Sequence, residues 1–421
     1  MIKKITIGIL SCYFFVFLVN NLSITFDRYT VQFVVLSLIN IIAFSVLIKT
    51  YSFNDTMNSF KRSKPLFFYS GFIVLSALSI FVADNQVESV IIFSQYLSFY
   101  FSLLLIYTLS KQSKLKFIDI LIYLSIISVF LESAYILLTF FDAVIINGES
   151  FTRSNLYKGF TANINIAAFS LAGKSPIILY YIFKSNKTIN KVLGGVLVFM
   201  IASCLSILLS RGAFIAFALV NLLFIIYSLL KKLDNYFISS SVIVLSILLS
   251  YFTFSNLIKN GPENLINERI VSIQIDREDQ SINERLRFYK AAFESIKENP
   301  ILGIGIGNWK IESMKYDSKF ATGYRVPFHA HNDFLQVAAE SGLFASIFFI
   351  LFLLYPFYLF IKYKIYRTAD IEYFCVLLMM MVYILDTLIN FPIARPISHL
   401  FLIFVSITLI FLADKYEEKN I

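Results

Sequence analysis

The sequence predicts an all-α polytopic membrane protein of about 12 transmembrane helices, with one long extracytoplasmic loop that itself contains helices. Three observations predict it. Of the 421 residues 58% are hydrophobic, with a mean hydropathy of +0.75, where a soluble domain is about half apolar. The excess is laid out as uncharged runs of roughly 17 to 25 residues, long enough to cross a bilayer. Lys and Arg stand between those runs, where topology signals belong, so the net charge of +9 reads as membrane topology and not as nucleic-acid binding.

Taken in order, the runs occupy about 5–19, 31–49, 65–83, 89–109, 118–140, 161–183, 192–209, 213–230, 236–256, 336–361, 371–390 and 397–413. The start, Met1-Ile-Lys-Lys followed by apolar residues, resembles a signal peptide. No small-x-small cleavage site follows it, so an uncleaved first helix is expected. One set of connections carries Lys3, Lys4, Lys49, Lys61, Arg62, Lys64, Lys111, Arg367 and further lysines as far as Lys419. The short connections of the opposite set carry only Arg28, Arg153, Lys158, Arg211 and Arg395. That asymmetry places both termini in the cytoplasm and the long segment from about 257 to 336 outside it. No fixed-period repeat or two-half symmetry is visible. Cys12, Cys204 and Cys375 lie in apolar runs, with neither a disulfide framework nor a metal-ligand spacing.

Within the outer segment, Ser281 to Asn299 reads as a helix. Ser281 and Glu284 form a capping box, Leu286, Tyr289, Phe293 and Ile296 recur at helical spacing, and Asn299-Pro300 ends it. Such a helix rests its apolar face on the bundle or at the lipid headgroups. Arg285 lies one turn before Tyr289, toward that face, and a guanidinium there needs an anionic partner. Next comes G-I-G-I-G-N-W, with Gly303, Gly305 and Gly307. It fits a tight turn with close packing better than a phosphate-cradling nest, since no strand precedes it.

His329 and His331 open the stretch H-A-H-N-D. Three readings stand: a metal ligand pair with Asp333, a structural hydrogen-bonding histidine, or a general base with a pKa near 6.5. Arg211, in L-L-S-R-G-A, sits between two apolar runs as either an exposed turn residue or a phosphate ligand. Arg153 to Lys174 brings Asn163, Asn165 and Lys174 into a span, where polar groups face an internal cavity. Glu132 and Asp386 are further charges within spans, and His399 opens the last one.

Ser210–Ala213 (S-R-G-A), Arg285–Trp309 (R-L-x-x-Y-K-A-A followed by N-P-I-L-G-I-G-I-G-N-W) and His331–Gly342 (H-N-D-x-L-Q-x-x-x-E-x-G) together resemble the superfamily of O-antigen ligases and O-antigen polymerases. Gly159–Asn165 is similar to a weaker pattern of the same superfamily, and Tyr289 departs from its usual tryptophan. The resemblance divides the chain into N-terminal transmembrane helices (1–194), a ligase-like region (195–350) that includes the loop at about 257–336, and C-terminal transmembrane helices (351–421).

It implies a metal-independent, inverting glycosyltransferase of the bacterial inner membrane, active on the periplasmic side and needing no cofactor. The donor it implies is a glycan on undecaprenyl diphosphate, and the acceptor a sugar hydroxyl of lipid A-core or of a growing polysaccharide. It carries His331 over as the base and Arg211 and Arg285 as stabilisers of the departing diphosphate. Arg153, Lys158, Asn163, Asn165, Lys174, His329, Asn332 and Trp309 are the expected substrate-binding residues. Partners are then that donor, the acceptor and membrane lipids, with no nucleic acid. The reading from another class is a lipid or solute transporter using Glu132, Lys174 and Asp386 as a relay.

Overall fold

A backbone crossing lipid must satisfy its own hydrogen bonds, which a helix does within one segment. The computed structural model describes residues 2–19, 29–51, 63–152, 154–161, 163–232, 236–257, 280–317 and 327–417, and every regular element among them is helical. In chain order these are α1 (Ile2–Phe14), α2 (Thr30–Thr50), α3 (Lys64–Ser79), α4 (Gln86–Gln112), α5 (Phe117–Phe140), α6 (Ile164–Lys184), α7 (Thr188–Leu208) and α8 (Arg211–Leu230). They continue as α9 (Tyr236–Leu257), α10 (Gln280–Glu298), α11 (Trp309–Asp317), α12 (Asp333–Ser341), α13 (Leu343–Lys362), α14 (Ile371–Ile389) and α15 (Pro396–Glu417).

Among the described residues ten helices are long and apolar enough to cross a membrane: α2 to α8 and α13 to α15. The chain is a multi-pass membrane protein. The other two expected spans fall on shorter apolar elements, α1 with 13 residues and the stretch Ser240–Phe254 of α9. Of the expected long loop, residues 258–279 and 318–326 lie outside the described residues, as do Arg28, Arg153 and the Ser281 side chain of the expected capping box.

Helix starts follow the sequence. Asn85, Asn163 and Asn332 each cap a helix, their side-chain oxygens accepting the N–H of Glu88, Ile166 and Leu335 at 3.0 to 3.1 Å. The apolar run expected to begin near 336 instead divides into α12 and α13. Gly342 separates them with φ 88° and ψ 163°, a conformation open in practice only to glycine. The span therefore begins at Leu343, and the His329–Ser341 stretch stands outside it.

The described chain forms two compact units, each assembled from separate stretches: 1–115, 276–358 and 386–410 in the first, 116–275, 359–385 and 411–421 in the second. In the first, polar side chains join the spans. Tyr13 donates to Asn40 Oδ1 at 2.7 Å, Ser102 donates to the same oxygen at 3.0 Å, and Asn40 donates to the Ser98 carbonyl at 3.0 Å. Hydrogen bonds and small residues, not the hydrophobic effect, hold helices together where the surroundings are as apolar as the side chains. In the second unit, a Cβ on Gly195 would lie 2.8 Å from Val242, and one on Gly194 would collide with Ile182, so this pair lets α7 approach both α9 and α6. Lys174 and Glu132 are buried together there at 2.7 Å, with Ser128 and Ser170 also donating to the carboxylate. An intramembrane charge pair of this kind is stable only because each member and its spare lone pairs are satisfied.

Candidate functional site

The first unit brings α10, α11, α12 and the turn before α15 to one place. Packing sets its floor: Ala291, Ala292 and Ile296 of α10 meet Trp309, Ala330, Ala338 and Ala339, with Phe288 and Leu335 against them. The face α10 buries is thus rotated from the one its larger apolar residues suggest, for Leu286 and Phe293 are more than half exposed. The reason is close approach: two consecutive alanines let α10 settle on the Ala338–Ala339 pair of α12, where Leu and Phe would hold the helices apart.

The G-I-G-I-G turn locks the other end of α12. The N–H of Ile304 donates to the Ala339 carbonyl at 3.0 Å, and Leu343 N–H to the Pro300 carbonyl at 2.9 Å. At Gly303, with φ +66°, an added Cβ would come within 2.5 Å of the Ala339 carbonyl oxygen, so the glycine serves close backbone packing. Asn308 ties the same turn to the start of α4, accepting from Asn85 N–H at 2.9 Å and donating to Ser89 at 2.8 Å.

His331 sits immediately before the α12 cap in the left-handed region, φ +57°, which a residue other than glycine adopts uncommonly. Neighbours hold that backbone. The Tyr289 hydroxyl lies 3.1 Å from the His331 carbonyl and 3.0 Å from that of Leu388, so its proton serves both acceptors. Gln336 accepts the Ala330 N–H at 3.1 Å. Glu340 accepts the Trp309 N–H at 3.0 Å and lies 3.4 Å from the Gln336 amide nitrogen. Asp333 accepts the N–H of Ile393 at 2.9 Å, fastening the 391–395 turn to the first turn of α12.

Phe391 in that turn is a shared wall. His329 stacks on its ring at 4.0 Å and His331 meets it edge-on at 5.0 Å. The Arg395 guanidinium carbon lies 4.3 Å from the same centroid. Burial above all, then the charges of Arg285 and Arg395, push the His331 imidazole down to about 4. The same burial, with Arg395 and His331 beside it, holds His329 well below its ordinary value. The ring carrying the expected base is therefore neutral at pH 7, and its buried Nδ1 has no hydrogen-bond partner among the described residues. Burial raises the Asp333 carboxyl well above the usual range, against the Ile393 hydrogen bond, and pushes Glu340 up to about 7. Among the described residues no group of three or more His, Cys, Asp or Glu side chains gathers as metal ligands.

Of the expected site residues, His331, His329, Asn332, Arg285 and Trp309 lie in this unit. Arg285 is half-buried, Asn332 caps α12, and Trp309 is wholly buried in the packing floor. Arg211, Lys158, Asn163, Asn165 and Lys174 belong to the second unit. There Arg211 is half-buried at the first position of α8, Asn163 caps α6, Lys158 and Asn165 are half-buried, and Lys174 is bound to Glu132. Arg153 lies outside the described residues. Sequence reasoning passed over Phe391 and Arg395. The available signal was that Arg395 is one of only five basic residues on the short connections of the sparsely charged set.

A bundle of apolar spans, with a buried, aromatic-walled histidine near Arg285 and Arg395 outside them, defines a polytopic membrane protein with a polar cluster beyond its spans. Residues 195–350 match the O-antigen ligase family, the region where the sequence motifs lie. The chain is also similar to a protein of Rickettsia typhi provisionally named a polysaccharide ligase, at 25% identity over 178 residues. That similarity covers 41% of this chain and 41% of the relative's length.

Proposed function

We propose that the protein is a membrane glycosyltransferase that moves a glycan from undecaprenyl diphosphate to an acceptor sugar hydroxyl at the periplasmic face of the inner membrane. Its termini are then cytoplasmic. The observation that carries the reading is the buried, uncharged His331, held in an unusual backbone conformation beside Arg285 within the ligase-matching region. A sparsely populated backbone conformation persists where the surroundings fix it, and fixed placement is what a catalytic group needs.

In the proposed step the acceptor hydroxyl gives its proton to the His331 ring as its oxygen attacks the anomeric carbon. The bond from that carbon to the diphosphate oxygen breaks, and the configuration inverts. Undecaprenyl diphosphate leaves with one more negative charge, which Arg285 stabilises through bidentate contact, a role the resemblance also gives to Arg211. A neutral imidazole can accept the proton directly, since burial and the two nearby guanidiniums keep it unprotonated through the physiological range. Of the other expected binding residues, His329 and Asn332 flank the base along the chain.

A polymerase that extends a lipid-linked chain uses the same chemistry and differs only in its acceptor. Against the transporter reading, Lys174 and Glu132 pair with one another in the second unit, while Asp386 of the first accepts from Asn390 at 2.6 Å. A deletion strain tests the reading. Loss of long glycan from the core, with polymer accumulating on the lipid carrier, fits the ligase; single repeats on the core fit the polymerase. Unaltered glycan on both core and carrier rejects both.

A further inference from the structure

We propose that Arg395 is a further anion-binding residue of this site, gripping the diphosphate of a lipid-linked donor together with Arg285. This rests on the donor reading above and adds to it a group from a segment more than a hundred residues beyond Arg285, outside the ligase-matching region.

The geometry of the 391–395 turn supports it. The turn is a single 3-10 turn, Pro392–Ala394, closed by the Arg395 N–H on the Pro392 carbonyl at 3.1 Å. Asp333 grips its middle through the Ile393 N–H, two residues from His331. Arg395 is thus placed by the same helix terminus that places the base. Its guanidinium lies against two rings, 4.3 Å from the Phe391 centroid and 4.5 Å from that of Tyr29.

A guanidinium held over aromatic rings by cation–π attraction keeps its charge and its N–H donors for phosphate oxygens. Packed against two rings on a short closed turn, Arg395 has little side-chain freedom left to lose when it meets an anion. Arg395 is half-buried, so a ligand reaches it. Phe391 touches His329, His331 and Arg395, so an anion on this fork would lie beside the ring that receives the proton.

Charge points the same way. Two guanidiniums act on a buried imidazole that carries no charge, and Asp333, the acid in the same turn contact, is kept toward its neutral form by burial. Such a site favours a dianion. Once bound, the anion would offset both cations and make His331 more basic only when a donor is present. Groups facing His331 are Arg285 from α10, Arg395 from the turn, and His329 from its own segment.

Binding of farnesyl diphosphate to the purified full-length protein in detergent tests this, using wild type, Arg395→Gln, Arg395→Lys and His331→Ala. Wild type and His331→Ala, which loses the base but no cation, are expected to bind alike. Arg395→Gln is expected to bind about 10- to 100-fold more weakly, the loss of one charge-assisted hydrogen-bonded pair. Arg395→Lys should fall between them while melting like wild type without the probe, which separates ligand contact from folding. The acid limb of kcat/KM should also move to higher pH in Arg395→Gln, because one cation that disfavours imidazolium is gone. Wild-type affinity in both Arg395 variants overturns the assignment and leaves the donor reading standing. Absence of binding by wild type removes the donor reading and the assignment with it.

Discussion

Glu340 supplies the prediction with the clearest magnitude. The residue is 3% exposed, lies on α12 outside the spans, and its carboxyl accepts the Trp309 N–H. Burial outweighs that hydrogen bond and those from Gly307 and Gln336, and moves its pKa from 4.5 to about 7. Between those two values the folded protein holds a proton that the unfolded chain has released. Stability contributed by this group is then complete below pH 4.5 and is lost as pH rises toward 7. At 1.36 kcal/mol per pH unit the loss totals about 3 kcal/mol.

Glu340→Gln keeps an acceptor for Trp309 and cannot ionise. A fixed penalty for imperfect hydrogen bonding, about 1 kcal/mol, shifts its curve uniformly. The diagnostic quantity is the difference from wild type, which should grow in the variant's favour from pH 5 to 8. Melting temperatures of both proteins in one detergent across that range measure it. Parallel curves, or a variant losing ground as pH rises, would refute the assignment of a buried, proton-holding carboxyl.

Four further outcomes are expected. His331→Ala should remain in the membrane at wild-type level yet lose glycan transfer, roughly the 100-fold or more that a general base contributes; unchanged transfer removes the base. The pH dependence of kcat/KM in wild type should stay flat from pH 8 down to about 5, because the free imidazole titrates near 4; an acid limb centred near 6.5 contradicts the burial argument. Arg211→Lys and Arg285→Lys should each lower transfer by about tenfold or more, since lysine keeps the charge without the bidentate fork; near-wild-type rates refute bidentate contact. Gly342→Ala should cost about 3 kcal/mol or more and lower the melting temperature, because its backbone angles suit only glycine and the new Cβ would collide with the Ile301 carbonyl; a wild-type melt would mean the α12–α13 break is absent.

Much of the site was readable before any fold was known. Arg285, His331, Gln336 and Glu340 stand in recognisable spacings, while Asn163 and Asn332, expected to bind substrate, cap helices in the fold. The buried face of α10 was not readable. Its sequence offers two apolar stripes, and periodicity alone does not say whether Leu286 and Phe293 or Ala291 and Ala292 meet the neighbour. Nor was the break at Gly342, since a glycine within an apolar run is compatible with a continuous helix until its backbone angles are known.

The sequence by itself determined the class of protein, because bilayer thickness fixes how long an uncharged run must be and backbone hydrogen bonding makes that run a helix. Tertiary structure alone decided that Phe391 and Arg395 stand with His331, some sixty residues away along the chain. It also decided the protonation of that histidine. Periodicity records neighbours within one element, whereas burial and the field of a distant guanidinium exist only once separate elements have packed.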